Sequence, residues 1–413
     1  MKANVIHGDF NPCGGAERLS LLTMQALAEM GIQFDLTTLK IPDISKLERS
    51  FGKNLVSVMG VINRINVIDI IEVLRRQQQD QGHENYNYDI TINTNGDAAP
   101  YYHSSFSKKN TITYCHFPST KYHIESQNID YLKTDLGMIE ESIDFSHRDY
   151  ETINTKSSRT KTQFSKRTEY YEILKYGYLN LMKASTVITN SEFSRRAIVN
   201  AFGLDNIYVL SPPIDIETFR NTALMPNRGN GRDDIILVIS RIAPHKEIEN
   251  AIKLAKILKD NNIGKGMKIV GNLYHYFSDY YSELRQMVLR LNLTDYITFE
   301  INASLNKLLS TIQESRVYFH PKMEEHFGMA VLEAMAAGLI PVVPNKGGLT
   351  EFVPKEYQFD SIEHAAQLID HFLDHFPKTK RLDISDNISR FSNSHYTKGF
   401  QTILYELLFR RMK

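Results

Sequence analysis

Short runs of β-branched and aromatic residues alternate with helix-length amphipathic stretches along most of the chain. Parallel sheets built from βαβ units give that pattern. In the first half the runs predict strands at Asn4–His7, Phe34–Leu39, Asp89–Asn93, Thr111–His116, Thr186–Asn190 and Tyr208–Ser211. In the second half they predict strands at Asp234–Ser240, Lys268–Gly271, Tyr296–Glu300, Val317–His320 and Ile340–Val343. The turn-rich segment Asn221–Arg232 lies between the two series and reads as a linker. The expectation is an α/β protein of two doubly wound domains, residues 1–213 and 214–394, with a helix over 395–413 packing back on the first. An active site is expected in the cleft between the domains, beyond the carboxyl ends of the strands.

Composition excludes several classes. A chain of 413 residues, 42% of them hydrophobic, has room for two or three domains with proper cores. Its 48 basic side chains balance 48 acidic ones, so no global field draws it to nucleic acid. Charge is uneven only locally: within the polar stretch 132–176, the run from Lys156 to Arg167 holds five basic residues and no acidic one. A solvated insertion and a patch for phosphate or anionic headgroups both fit that run. Cys13 and Cys115 form neither a disulfide framework nor a metal-ligand spacing, which points to a reducing compartment. The first residues lack an apolar stretch of signal-peptide length, and no apolar run approaches 18 residues. A cytoplasmic protein is expected, with peripheral membrane contact left open.

The most informative segment runs from Phe319 to Val343 and reads strand, loop, short helix, glycine stop, strand. Met329 to Ala337 are strong helix formers, Gly338 suits the position after the helix, and Pro341 cannot continue it. Gly328 allows close approach of a ligand where the helix begins, and the amides of Phe327, Gly328 and Met329 are then donors at a positive dipole end, suited to phosphate. Glu325 precedes the helix and Glu333 lies one turn inside it, placed for hydroxyls of a sugar and a ribose. An isolated pair of glutamates could equally cap the helix and sit in solvent. A second cluster, Arg241 to Glu247, follows a buried-strand run and precedes a helix with apolar positions Ile248, Ala251, Ile252, Ala255 and Leu258. Arg241 and Lys246, five residues apart across a proline turn, can converge on a diphosphate.

Glu325 and Glu333 with seven residues between them, in this setting, resemble the signature of glycosyltransferase family 4, retaining enzymes of the GT-B fold. That resemblance implies an acceptor-binding first domain and a second domain that binds a nucleotide-sugar donor. Arg241 and Lys246 resemble the pair that neutralises the leaving diphosphate. His7 to Arg18, with Gly14 and Gly15, resembles the family's Gly-Gly-Ala-Glu loop, whose backbone contacts donor phosphate and acceptor. His116, in Tyr114-Cys115-His116-Phe117-Pro118, is similar to a histidine that contacts the transferred sugar. Pro212-Pro213-Ile214-Asp215 looks like the interdomain crossing, with Asp215 at the hinge. Within the family, Glu325-His326-Phe327-Gly328 and the run Ala336–Val343 are most similar to α-1,2-mannosyltransferases that use GDP-mannose.

The catalytic set expected is His116, Arg241, Lys246 and Glu325, with Gly14, Gly15, Gly271, Phe327, Gly328, Met329 and Glu333 binding the donor. No apolar run leads into a D-x-D pair, so neither a metal nor another cofactor is expected. The partners expected are a nucleotide sugar and a glycan or lipid-linked acceptor. Alternatives are a UDP-sugar donor, an epimerase on the same fold, and a non-catalytic nucleotide-sugar-binding protein.

Overall fold

The structure, a computed structural model, describes residues 1–68, 88–96, 110–119, 121, 182–224, 234–375, 384 and 388–409. The basic run Lys156–Arg167 lies outside them. The chain divides into two compact units: Met1–Asn190, Ser194–Leu210 and Thr397–Lys413 in the first, Ser191–Phe193 and Ser211–Tyr396 in the second.

The first unit is built on seven parallel strands, β1 (Lys2–Ile6), β2 (Gln33–Thr38), β3 (Ile65–Val67), β4 (Ile90–Asn93), β5 (Thr111–Tyr114), β6 (Thr186–Thr189) and β7 (Ile207–Val209), in the order β3-β2-β1-β4-β5-β6-β7. Its first helix, α1 (Gly15–Glu29), buries Leu19, Leu22, Ala26 and Leu27 at helical spacing. Gly31, at φ 69°, follows the helix end in the left-handed conformation that glycine adopts without a Cβ penalty. Helices α2 (Ile44–Phe51), α3 (Lys53–Val56) and α4 (Glu192–Phe202) follow.

The second unit has six parallel strands, β8 (Ile235–Ile239), β9 (Gly266–Gly271), β10 (Ile297–Ile301), β11 (Val317–Phe319), β12 (Ile340–Pro344) and β13 (Gln358–Phe359), in the order β10-β9-β8-β11-β12-β13. Its helices are α5 (Ile216–Leu224), α6 (Ile248–Asp260), α7 (Ser278–Arg290), α8 (Leu305–Glu314), α9 (Met329–Ala336) and α10 (Ile362–His375), and the last helix, α11 (Asn393–Phe409), begins here. Ile236, Leu237 and Val238 at the centre of β8 are wholly buried, as are Ile248, Ala251, Ile252, Ala255 and Leu258 of α6. Each fully buried large aliphatic side chain contributes about 1.5–3 kcal/mol. From Thr397 onward α11 belongs to the first unit, where Gln401 donates to the Ala26 carbonyl at 3.3 Å.

All eleven strands expected from the sequence are present, each end within two residues of its expected place. Of the expected linker Asn221–Arg232, only Asn221–Leu224 lie within the described residues. Asn221–Leu224 form the last turn of α5, whose start Asp215 caps by accepting from the Thr218 amide at 3.2 Å, and the chain passes between units at Leu210–Ser211. No helix among the described residues is long and apolar enough to cross a membrane.

In each sheet the strand order reverses at one place, between β1 and β4 in the first unit and between β8 and β11 in the second. The two connections that leave such neighbouring strands diverge to opposite faces and open a crevice at the carboxyl ends. The residues just past β8 and β11 are Ser240, Arg241 and His320, Pro321; those past β1 and β4 are His7, Gly8 and Thr94, Asn95.

Candidate active site

Beyond β8 the chain makes a short helical turn, Pro244–Lys246, and enters α6 through Glu247, held left-handed at φ 53°. The Glu247 carboxylate accepts from the Met323 amide and from Asn250 Nδ2, both at 3.1 Å, and the same Asn250 amide donates to the Pro321 carbonyl at 3.1 Å. These bonds fasten the loop after β11 to the loop after β8. Lys246 and Glu325 are thereby brought together: Lys246 Nζ donates to Glu325 Oε2 at 2.7 Å. Sequence reasoning assigned them to different parts of a ligand; in the protein they form a direct ion pair.

Glu325 is 7% exposed, and its main chain is clamped. It bridges to Gly347, and its carbonyl accepts from the Gly348 amide at 2.8 Å. A Cβ at position 347 would lie 2.2 Å from the Glu325 carbonyl oxygen, and one at 348 would lie 2.1 Å from that of His326. Gly347 is also at φ 79°, so two glycines are what permits this close packing of backbone on backbone. Burial alone would raise the Glu325 pKa, but Lys246, His320 and Lys322 outweigh it and hold the carboxyl well below the usual range. Lys322 Nζ stands 3.9 Å from Oε1 and His320 Nε2 3.5 Å from Oε2. The Lys246 ammonium is itself lowered by burial, against the pull of Glu325.

Helix α9 begins at Met329 behind Gly328, which sits left-handed at φ 93° and provides no side-chain cap. Glu325 is not the cap: its Oε1 accepts from the His326 amide at 3.0 Å instead. The Val331 amide donates to the Gly328 carbonyl at 3.0 Å; the amides of Met329 and Ala330 have no acceptor that an α-helix can supply internally. Gly338, at φ 68°, follows the helix as expected. Glu333 is half-buried near Tyr318, whose hydroxyl is made much less acidic by burial and by Glu325 and Glu333. Phe327 is buried in the core of the unit. Gly271 has a packing reason, since a Cβ there would fall 1.7 Å from the Ser240 carbonyl oxygen. Arg241 is exposed on the loop after β8. Partial burial, then the charges of Arg241, Lys246 and Lys322, lower the pKa of His245 beside it.

The first unit has its own cluster at its switch point. Glu17, in the first turn of α1, accepts from the Gly14 amide, so that amide is already occupied; Gly15 opens the helix. His7 Nε2 lies 3.4 Å from Glu17 Oε1, and His7 Nδ1 meets Thr94 Oγ1 at 3.2 Å. His116 is close by: its ring carbon would stand 3.2 Å from a Cβ at Gly96, and its Nε2 is buried without a hydrogen-bond partner among the described residues. Burial first, and His7 second, push the His116 pKa down to about 4. Cys13, at φ 52°, and Cys115 are buried and stand outside any disulfide among the described residues.

Sequence reasoning missed Tyr318, His320, Lys322 and Glu247 in the second unit and His7 and Glu17 in the first. The strand ends could have shown His320 and His7, because both are the first residues past strands that flank a switch point. Among the described residues, no group of three or more His, Cys, Asp or Glu is arranged to hold a metal ion.

Comparison with known proteins extends these observations. A GDP-Man:Man(3)GlcNAc(2)-PP-Dol alpha-1,2-mannosyltransferase of Dictyostelium discoideum is 25% identical over 314 residues, 71% of this chain and 59% of that protein. The Mus musculus protein of the same name is 27% identical over 258 residues, 58% of this chain and 52% of its own length. This chain therefore spans a little over half the length of these relatives. A glycosyltransferase structure from Rickettsia africae superposes with a TM-score of 0.64 at 15% identity, covering 99% of this chain and 98% of that one. The fold is GT-B, with two parallel-sheet Rossmann-like units. Residues 221–387, most of the second unit, match the family model described as Glycosyl transferases group 1.

Proposed function

We propose that the protein is a retaining glycosyltransferase that moves mannose from GDP-mannose to a hydroxyl of a glycan or lipid-linked glycan. The observation that carries this is the Lys246–Glu325 pair at the second unit's switch point, within the stretch that matches group 1 glycosyl transferases. The choice of mannose, of GDP and of a lipid-linked acceptor is supported by the names of the Dictyostelium and mouse relatives.

Arg241, Lys246 and the first-turn amides of α9 hold the diphosphate, while Glu325 and Glu333 accept from hydroxyls of the sugar and the ribose. The bond from the anomeric carbon to the diphosphate oxygen breaks, and a bond to the acceptor oxygen forms on the same face. The acceptor's proton passes to the departing phosphate oxygen. Protein groups act by fixed charge and position, which is where most of the acceleration of such a transfer can arise. His116, neutral and with one ring nitrogen that has no partner among the described residues, is suited to a hydrogen bond with a sugar hydroxyl.

The test is a thermal shift panel of GDP-mannose, UDP-glucose and UDP-N-acetylglucosamine. A ligand at one hundred times its Kd adds about 2.7 kcal/mol. GDP-mannose is expected to raise the melting midpoint by several degrees and the uridine compounds to leave it unchanged. Stabilisation by a uridine nucleotide alone defeats the mannosyl assignment, and conversion of the nucleotide sugar without acceptor favours an epimerase.

A further inference from the structure

The ion pair that marks the site also raises a difficulty. If Lys246 turns its ammonium to a diphosphate and away from Glu325, a carboxylate buried to 7% exposure loses the partner 2.7 Å away. Leaving a buried charge without a partner is costly. Something in the site must compensate for that loss.

His320 is placed to do so. The residue is 4% exposed, its Nε2 has no hydrogen-bond partner among the described residues, and that nitrogen stands 3.5 Å from Glu325 Oε2, the same oxygen that Lys246 holds. At that separation it is adjacent to the oxygen without being bonded to it. On the other side of the ring, Nδ1 meets the Tyr318 hydroxyl at 3.1 Å. Tyr318 is fully buried and far less acidic than usual, so it keeps its proton; of its two acceptors, the Ile239 carbonyl at 3.5 Å and Nδ1 at 3.1 Å, the nearer is Nδ1. The tautomer this favours carries hydrogen on Nε2, directed at Glu325. Lys322, 3.9 Å from Oε1, adds a second cation within reach.

We infer that the Lys246–Glu325 ion pair is the donor-free arrangement, exchanged when a nucleoside diphosphate binds, and that His320, set by Tyr318, is the positioning residue that receives Glu325 when Lys246 turns to the diphosphate. The inference rests on the transferase proposal and goes beyond it. Glu325 becomes an internal competitor of the diphosphate for Lys246, and the site accommodates the exchange because a neutral donor waits at the same carboxylate oxygen. A neutral imidazole serves better than another cation, since it compensates the carboxylate without holding it so tightly that it cannot accept from a sugar hydroxyl.

The experiment is calorimetric titration of the full chain with GDP, and with UDP in parallel, on wild type, Glu325→Gln, His320→Leu, His320→Gln and the two double variants. Glu325→Gln is expected to bind the diphosphate roughly tenfold more tightly than wild type while losing transfer, because Lys246 is released; tenfold corresponds to about 1.4 kcal/mol. His320→Leu, which fills the space without a donor, is expected to weaken binding several-fold, and His320→Gln, which restores an N–H, to recover most of it. In the Glu325→Gln background the His320 substitutions are expected to have no effect, because there is no carboxylate left to receive. A merely structural histidine would weaken binding equally in both backgrounds, and that result overturns the role of His320. Wild type that binds while Glu325→Gln binds no tighter overturns the exchange and leaves the transferase proposal standing. Wild type that binds neither diphosphate overturns both.

Discussion

The two switch points are built from similar parts and put to different use. Each has a glutamate beside a buried histidine where a glycine-containing loop enters a helix. In the first unit Glu17 serves that helix: it accepts from the Gly14 amide, and its neighbours, His7 and His116, are imidazoles. In the second unit the helix cap is Gly328, without a capping side chain, so Glu325 is not engaged at the helix. It is surrounded instead by Lys246, Lys322 and His320. Both helices have a glycine at the cap, Gly14 and Gly328, so the lesson is that the glutamate's place relative to the cap decides what the carboxylate is available for. A glutamate inside the first turn reaches back and closes off an anion-binding amide, whereas one ahead of the cap is free to meet the cations beside it.

The widest difference is expected at Lys246. Lys246→Ala should lower glycosyl transfer by about a thousandfold, on the order of 4 kcal/mol at the transition state, the scale of losing a preorganised charge contact. It should also reduce folding stability by about 2 kcal/mol, less than for a fully buried pair because the Lys246 side chain is 20% exposed. Steady-state kinetics with a melt on the same sample separates the two effects. Gly347→Ala follows. At φ 79° and with the Glu325 carbonyl in the way, the alanine should cost about 3 kcal/mol in denaturant unfolding and move the carboxylate off its partners.

Acid should affect the first unit through His116. Its pKa in the folded protein, about 4, lies below the ordinary value of 6.5, so the unfolded chain takes up the proton first. Stability from this group is therefore full above pH 6.5 and falls as pH drops toward 4, by an amount on the order of 3 kcal/mol. His116→Gln should flatten that part of the stability profile; an unchanged slope would show that the imidazole is not buried as described. The smallest effect belongs to the cap. Glu17→Ala should cost about 1 kcal/mol, visible in a calorimetric melt, the usual scale for losing a helix cap.

The sequence made the sheets legible because each central strand is a continuous β-branched or aromatic run between glycines and turns. The two strands it did not show are edge pieces. Ile65–Val67 is short and largely exposed, and Gln358–Phe359 has only two residues, too few for periodicity to register. In the site, Lys246, Glu325 and the glycine-headed helix were readable from spacing. Their meeting was not, because it depends on Glu247 and Asn250 tying two loops more than seventy residues apart in sequence. The Gly347-Gly348 requirement was also hidden, since it arises from the backbone of residues 325 and 326 and from nothing next to it in the chain.

The most direct measurement is acceptor-dependent release of GDP from GDP-mannose, followed for wild type and Lys246→Ala with a lipid-linked glycan as acceptor. The account predicts that wild type releases GDP only when acceptor is present and that the variant, still folded, releases almost none. Equal release by both proteins, or no release by wild type, would contradict it.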